Sequence, residues 1–172
     1  VLAPFIHEQK NRLKFIVAPH ELSEDGLEKL EKQISGPHVR YSRANSVNEI
    51  ERYQVLIIDN IGLLARLYRY GEFAFVGGAF GDGLHNILEA AGYGIPVFFG
   101  NRNYDKFQEA HDLINRGGAF AVADYTELKM RYQTVSEPEN YVLACEVCRS
   151  YVEQNQGATE KIMAYCRNLL TT

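Results

Sequence analysis

Short apolar runs alternate with amphipathic segments along much of the chain. Six runs rich in β-branched and aromatic residues predict strands, and they span residues 13–18, 38–42, 54–59, 73–78, 96–100 and 119–122. Most segments between them place apolar residues at helical spacing, as Leu27, Leu30 and Ile34 do. This alternation predicts βαβ units and a parallel sheet, and the nearly continuous apolar character of the strands indicates that helices cover both faces.

Capping and turn residues mark the predicted ends of the helices. Ser23 is a suitable N-cap for a helix that runs to Ile34. Glycines fall where further helices should stop, at Gly71, Gly94 and Gly117–Gly118. After about residue 123 no further strand is predicted, and from about residue 137 the pattern is that of two helices broken at Gly157. We therefore expect residues 1–172 to form a single Rossmann-like α/β domain with a helical tail.

Composition narrows the class of protein. The 172 residues are 46% hydrophobic and 23% charged, which is ordinary for a globular protein. A net charge of −4 and scattered basic residues argue against nucleic-acid binding, although a mononucleotide needs only a local site. No apolar run is long enough to span a membrane, so we expect a soluble chain. Its first residues lack an initiator Met and resemble the middle of a helix. We therefore expect that the chain was cut from a longer protein at the amino-terminal edge of the domain.

The three cysteines predict neither disulfides nor a metal site. Cys145, Cys148 and Cys166 are too few for a disulfide framework. Cys145 and Cys148 have a spacing that zinc sites use, but no His lies near them in the sequence. On a helix they share one face, and we interpret them as small core residues. We expect no metal and no cofactor.

A glycine-rich segment over residues 77–86 is the strongest candidate for a binding site. It follows a predicted strand and leads into a helix that we expect to begin near His85 or Asn86, and ligands of parallel α/β sheets bind on such loops. Its glycines permit positive φ and close approach of a ligand, and a helix start favours a phosphate. Glu89 would project from the first turn, where a carboxylate can accept hydrogen bonds from a ribose diol. The pattern therefore suits a nucleotide.

A simpler interpretation of the same residues stays open. Glycines after a strand are often only a turn, and this segment matches neither the P-loop nor the G-x-G-x-x-G pattern. Asn86 and Glu89 also resemble a capping box. His20 and His85 are each either a ligand contact or a local structural residue. Asp59, with the residue that follows it, is expected to cap a helix that begins near Ile61.

The order of these parts resembles a known family. Residues 16–21, 57–100 and 103–122 are similar to the carboxyl-terminal half of 3-deoxy-D-manno-octulosonic acid (Kdo) transferases of the Bacteroides type, which are GT-B glycosyltransferases of lipopolysaccharide synthesis. The similarity covers roughly residues 3–122. The motif residues that carry it are Asp59, Gly62, Leu64, Gly77, Gly78, His85, Asn86 and Glu89.

The resemblance implies a binding site for the CMP part of the donor CMP-Kdo. Glu89 would hold the ribose, and the loop with Asn86 would hold the phosphate. The implied donor-binding residues are Pro19, His20, Gly77, Gly78, Gly83, His85, Asn86 and Glu89. Departures from the family pattern are Ala79, Leu84 and Ala90, together with Pro19-His20-Glu21 where the family has Pro-Arg-His. What replaces the missing Arg is left open.

The same resemblance implies an inverting transfer of Kdo to a lipid A precursor at the cytoplasmic face of the bacterial inner membrane. The catalytic base and the acceptor site would lie in an amino-terminal half that this chain lacks. We therefore assign no catalytic residue here and expect the chain alone to be inactive, with CMP affinity on the order of 0.1–1 mM.

Two other functions stay open. A GT-B enzyme that uses a UDP-sugar would share the loop and Glu89 but would prefer uracil. A non-enzymatic α/β module would use the same surface for a protein partner. A homodimer through an exposed sheet edge is a further expectation, without functional meaning by itself.

Overall fold

Strands and helices alternate along the chain in the computed structural model, which describes residues 1–44, 46, 49–81 and 83–170. The strands are β1 (Phe15–Val17), β2 (His38–Arg40), β3 (Val55–Ile57), β4 (Ala74–Val76), β5 (Val97–Gly100) and β6 (Ala119–Val122). The helices are α1 (Leu2–Glu8), α2 (Glu24–Gln33), α3 (Tyr41–Ala44), α4 (Leu64–Leu67), α5 (Leu88–Ala91), α6 (Gln108–Arg116), α7 (Tyr125–Val135), α8 (Pro138–Gln154) and α9 (Ala158–Leu170). Each of the six predicted strands is present.

The strands form two three-stranded sheets, in the orders β1-β3-β2 and β4-β5-β6. In the first sheet β1 and β2 both pair parallel with β3, and in the second sheet β4 pairs parallel with β5. Two compact units contain one sheet each. The first unit comprises residues 1–71 and 122–134, and the second comprises residues 72–121 and 135–172. The predicted parallel α/β fold is confirmed, while the single domain stays a prediction.

The first unit is built around an apolar cluster between its helices and its sheet. Ile6 of α1, Leu27 of α2 and Val55 and Ile57 of β3 are buried in this cluster. The predicted N-cap is present, since the side chain of Ser23 accepts the Gly26 N–H at 3.1 Å. The apolar residues whose spacing predicted α2, Leu27, Leu30 and Ile34, lie on the side of the helix that packs into this cluster.

A buried cation ties α2 to β2 in the same unit. Arg40, the last residue of β2, is 5% exposed. Its guanidinium donates to both carboxylate oxygens of Glu31 at 2.8–2.9 Å and to both of Glu24 at 2.7–2.8 Å. The hydrogen bonds from Arg40 lower the pKa of Glu31. Because both carboxylates lie on α2, the arginine holds that helix against the end of the strand.

The second unit packs aromatic strands beneath the helical tail. Val97 and Phe99 of β5 are fully buried, and the rings of Phe98 and Phe120 lie 5.3 Å apart. Cys148 of α8 is buried and its thiol donates to the Gly118 carbonyl at 3.1 Å, which supports its interpretation as a core residue. Burial raises the pKa of this thiol to about 12.

The helical tail begins where the sequence predicted it. Helix α8 starts at Pro138, and Gly157 (φ 88°) lies between α8 and α9. The sequence interpretation missed α7, in which only Leu128 and Val135 are fully buried, so that no broad apolar face marks the helix. Of the helices in the described part of the chain, none is both long and apolar enough to cross a membrane.

Replacing Arg40 with Ala should destabilise the first unit. The change leaves Glu31, whose side chain is 23% exposed, without its cation, and we expect the free energy of unfolding to fall by about 2–3 kcal/mol. The lowered pKa of Glu31 means that its contribution is present above the ordinary glutamate pKa and is lost as the pH falls through the folded value. The difference between the two proteins should therefore shrink below about pH 4.

Chemical denaturation at several pH values measures this difference. Arg43→Ala is the matched control, because Arg43 is exposed on the adjacent helix α3 and its loss should change stability by less than about 0.5 kcal/mol. Equal effects of the two substitutions at neutral pH would contradict a stabilising role for the buried arginine.

Candidate functional site

The chain turns sharply after β4 and closes on itself in a segment that we call the glycine loop (residues 77–89). The N–H groups of Gly81 and Gly83 both donate to the carbonyl of Gly78, at 2.9 and 3.3 Å, and the N–H of His85 donates to Gly77 at 3.3 Å. These bonds fold the loop into a compact turn at the carboxyl end of β4. Asp82, within the predicted loop, lies outside the described residues.

Gly78 is the position in this turn where a side chain cannot fit. Its φ is 92°, in the left-handed region. An added Cβ would lie 2.1 Å from the carbonyl oxygen of Gly83 and 2.8 Å from Cδ2 of the His85 ring. The imidazole of His85 therefore packs against a bare backbone, and the absence of a Cβ at Gly78 sets the shape of the loop.

A second contact holds the loop from the neighbouring strand. The side-chain amide of Asn103 donates to the Gly81 carbonyl, and the N–H of Arg102 donates to Ala79 at 3.0 Å. Asn103 lies just beyond β5, the neighbour of β4, and has φ 54°. The sequence interpretation missed Asn103, although a polar residue just after the adjacent strand was the available signal.

The helix after the loop begins later than predicted. Helix α5 starts at Leu88, not near His85 or Asn86, and has four residues. The side-chain oxygen of Asn86 accepts the Leu88 N–H at 3.0 Å, so the chain makes a side-chain turn before the helix forms. Because so short a helix has only a small dipole, stabilisation of a phosphate would have to come from the loop backbone and its side chains.

Asn86 orients Glu89 at the rim of the loop. The amide nitrogen of Asn86 donates to Oε1 of Glu89 at 3.1 Å, and both side chains are exposed. This is not the capping box that the spacing suggested, in which the glutamate would accept the Asn86 backbone N–H. Oε2 of Glu89 accepts no hydrogen bond from the described residues, so one carboxylate oxygen is available to a ligand hydroxyl.

The predicted site residues lie in both units. The structure brings Gly77, Gly78, Gly83 and His85 together in the loop and joins Asn86 to Glu89, all in the second unit. Pro19 and His20 follow β1 in the first unit, with Pro19 partly buried and His20 exposed. A shared role for the two groups stays a prediction.

Asp59 has a different role from the predicted one. It accepts the Ser42 N–H at 3.0 Å and the Ser42 hydroxyl, while α4 begins at Leu64 rather than near Ile61. Burial raises the pKa of Asp59, but the hydrogen bonds from Ser42 and from its own backbone, together with the charge of Arg40, outweigh burial and the net shift is downward. Ser42 and Asp59 each lie two residues beyond paired positions of β2 and β3, so the parallel register explains their contact.

Among the residues that the structure describes, no group of three or more histidine, cysteine or acidic side chains is arranged to hold a metal ion.

The fold of this chain belongs to the class of Rossmann-like α/β folds of the GT-B type. The structure matches the crystal structure of the C-terminal CMP-Kdo binding domain of WaaA from Acinetobacter baumannii with a TM-score of 0.72 and 23% identity, over 90% of this chain and 80% of that one. This match confirms the predicted fold class.

Sequence relatives then point to a particular family. The chain is 28% identical to a 3-deoxy-D-manno-octulosonic acid transferase of Chlamydophila psittaci over 141 residues, which is 81% of this chain and 32% of the relative. It is also 28% identical to a bifunctional glycosyltransferase/methyltransferase of Fusobacterium nucleatum over 148 residues, 86% of this chain and 23% of that protein. Further relatives, at 26–40% identity, carry the Kdo transferase name.

These relatives confirm the predicted resemblance to Kdo transferases. The chain spans about a third or less of the length of the curated relatives that it matches. No protein-family model matches the chain. The Bacteroides-type assignment stays a prediction.

Replacing Gly78 with Ala should distort the glycine loop. The added Cβ meets a backbone oxygen that cannot move independently, and we expect a loss of at least about 3 kcal/mol in the free energy of unfolding. Chemical denaturation measures this loss, and amide NMR spectra should show shifts over residues 77–86.

Gly117→Ala is the matched control in the same unit. Gly117 has a similar φ of 86°, but an added Cβ there meets nothing within 4 Å, so only the conformational cost of about 1 kcal/mol is expected. If the two substitutions lower the free energy of unfolding by the same amount, the close packing at Gly78 does not contribute to stability.

Proposed function

We propose that this chain is the donor-binding part of a Kdo transferase and that its glycine loop holds the CMP part of CMP-Kdo. Two similarities support the proposal: relatives named Kdo transferase, and a matching structure described as a CMP-Kdo binding domain. The observation that carries it is the Asn86–Glu89 pair, which presents an oriented carboxylate at the rim of a closed glycine turn. This turn follows β4, at the strand end where parallel α/β sheets bind ligands.

Each polar group of the loop has a place in the proposed complex. Oε2 of Glu89 accepts hydrogen bonds from the ribose hydroxyls. The amide nitrogen of Asn86 has two N–H groups, of which one holds Glu89 and the second reaches the phosphate. The exposed imidazole of His85 lies beside Gly78 at the same rim. Pro19 and His20 stay predicted donor contacts that only the resemblance implies, and the family pattern has an arginine at the position of His20.

The reaction of the whole protein would be displacement of CMP by a hydroxyl of a lipid A precursor. The hydroxyl oxygen bonds to the anomeric carbon as the bond to the CMP phosphate breaks, with inversion, while a base accepts the hydroxyl proton. The glycine loop stabilises the charge that develops on the departing phosphate. The base and the acceptor site belong to parts of the protein outside this chain, and the whole protein would act at the cytoplasmic face of the bacterial inner membrane.

The chain alone should therefore not transfer Kdo. Formation of a Kdo-bearing lipid A precursor from CMP-Kdo by the 172-residue chain would contradict this division of roles. A homodimer through a strand edge stays a separate prediction, which sedimentation would test.

Amide NMR titration with CMP, UMP and ADP tests the proposed site. We expect saturable shifts confined to residues 77–89 and to the segment after β1, larger for CMP than for UMP or ADP, with dissociation constants on the order of 0.1–1 mM. Glu89→Gln keeps an acceptor for Asn86 but removes the charge, and it should weaken CMP binding about tenfold. Glu153→Gln, at an exposed position of α8, is the control and should leave binding unchanged.

The nucleotide preference separates the competing functions. A preference for UMP would favour a UDP-sugar enzyme, and equal response to all three nucleotides would reduce the loop to a generic phosphate site. Absence of any saturable response would contradict nucleotide binding by this chain, and together with self-association it would favour the non-enzymatic module.

A further inference from the structure

The residues that follow β5 are bound to the glycine loop through the backbone. Strands β4 and β5 are parallel, so the segments after them leave the same edge of the sheet. The N–H of Arg102 donates to the Ala79 carbonyl at 3.0 Å, and the side-chain amide of Asn103, the next residue, donates to the Gly81 carbonyl. The position of Arg102 is therefore fixed relative to the loop that carries the proposed nucleotide site.

Close packing at the end of β5 holds the two segments together. Gly100 is the last residue of β5, and a Cβ added to it would lie 2.8 Å from the ring of Phe80 and 2.9 Å from the carbonyl carbon of Ala79. Because one of these neighbours is backbone, a side chain at this position would push the loop away. The absence of a side chain lets the residues after β5 lie directly against the loop.

The glycine loop has no basic side chain other than a histidine. Residues 77–89 contain no Lys or Arg, and they contain two acidic residues, Asp82 and Glu89. The N–H groups of Gly81 and Gly83 already donate to a carbonyl within the loop, and helix α5 is too short to have a large dipole. A phosphate beside the Glu89 carboxylate is therefore repelled unless a cation from outside the loop contributes.

Arg102 is a cation in a position to contribute. Its side chain is exposed, and it forms no hydrogen bond or ion pair with any residue that the structure describes. The other cation between β5 and α6 is Lys106, whose ammonium group lies over the ring of Phe107, 5.3 Å from the ring centroid. The flexible stem of an arginine lets its guanidinium reach a ligand on the adjacent loop, and its charge does not depend on pH in the working range.

We propose that Arg102 binds the phosphate of the nucleotide held by the glycine loop, and that it determines the preference of this site for nucleotides over nucleosides. This inference rests on the proposed function. The guanidinium donates two N–H groups to phosphate oxygens, while Glu89 accepts the ribose hydroxyls. The family pattern has an arginine in the segment after β1, where this chain has His20. In this chain the segment after β5 supplies the arginine instead.

Amide NMR titrations with CMP and cytidine test the proposal, because the two ligands differ only in the phosphate. We expect the unmodified chain to bind CMP at least about tenfold more tightly than cytidine. Arg102→Gln should weaken CMP binding about fivefold to tenfold and change cytidine binding by less than about twofold. Arg102→Lys keeps the charge but loses the planar fork, so CMP binding should weaken by about threefold or less.

Arg149→Gln is the matched control, since it removes the same charge from the same unit. The guanidinium of Arg149, an exposed residue of α8, packs beside Gly94, which precedes β5. It therefore lies at the opposite end of this strand from Arg102. This substitution should change CMP binding by less than about twofold. Spectra of each variant without ligand should keep the amide positions of residues 77–89, which would show that the loop remains folded.

The proposal is overturned if Arg102→Gln binds CMP as tightly as the unmodified chain. It is also overturned if this substitution weakens CMP and cytidine binding equally, or if Arg149→Gln has the same effect on CMP. In each of these cases the unmodified chain still binds CMP at residues 77–89, so the proposed function stands. If the unmodified chain shows no saturable shift with CMP, the proposed function itself fails, and the role of Arg102 fails with it.

Discussion

The contact between Gly78 and the turn that follows it is the constraint on which the candidate site depends. The carbonyl oxygen of Gly83 and the ring of His85 occupy the volume that a Cβ at Gly78 would need. The Gly78 carbonyl accepts both the Gly81 and Gly83 N–H groups, which leaves the loop little freedom. A preorganised loop binds a ligand at lower entropic cost than a flexible one, and this is the physical reason to expect function from a segment with so few side chains.

Stability and proposed binding are concentrated on different residues. In the first unit, Arg40 is enclosed by two carboxylates of α2, and in the second unit Cys148 of α8 is buried against Gly118, with its thiol pKa raised to about 12 by burial. These groups are shielded from solvent and satisfied by their neighbours. Glu89, by contrast, is exposed, with one carboxylate oxygen held by Asn86 and the other without a partner among the described residues. Gln54 is the buried exception, since its oxygen lacks a donor in the described part of the chain.

The features that could be predicted from the sequence are those that depend on local pattern. The strands follow from apolar runs and the Ser23 cap from its position before a helix. The break at Gly157 follows from the residue type, since glycine readily adopts the positive φ found there. The start of α5 could not be placed, because the side chain of Asn86 replaces the expected first helical turn. The partner of Asp59 was also missed, because Ser42 is brought to it by the register of two strands far apart in sequence. The close packing at Gly78 depends on the position of the Gly83 carbonyl, and the spacing of residues in the sequence does not determine that position.

A crystal structure of this chain with bound CMP tests the central claim most directly. The account predicts the ribose hydroxyls within hydrogen-bond distance of Oε2 of Glu89, the phosphate against residues 77–86, and little change in the backbone of the loop. A CMP molecule bound elsewhere, or a loop that must unfold around Gly78 to admit it, would contradict the account.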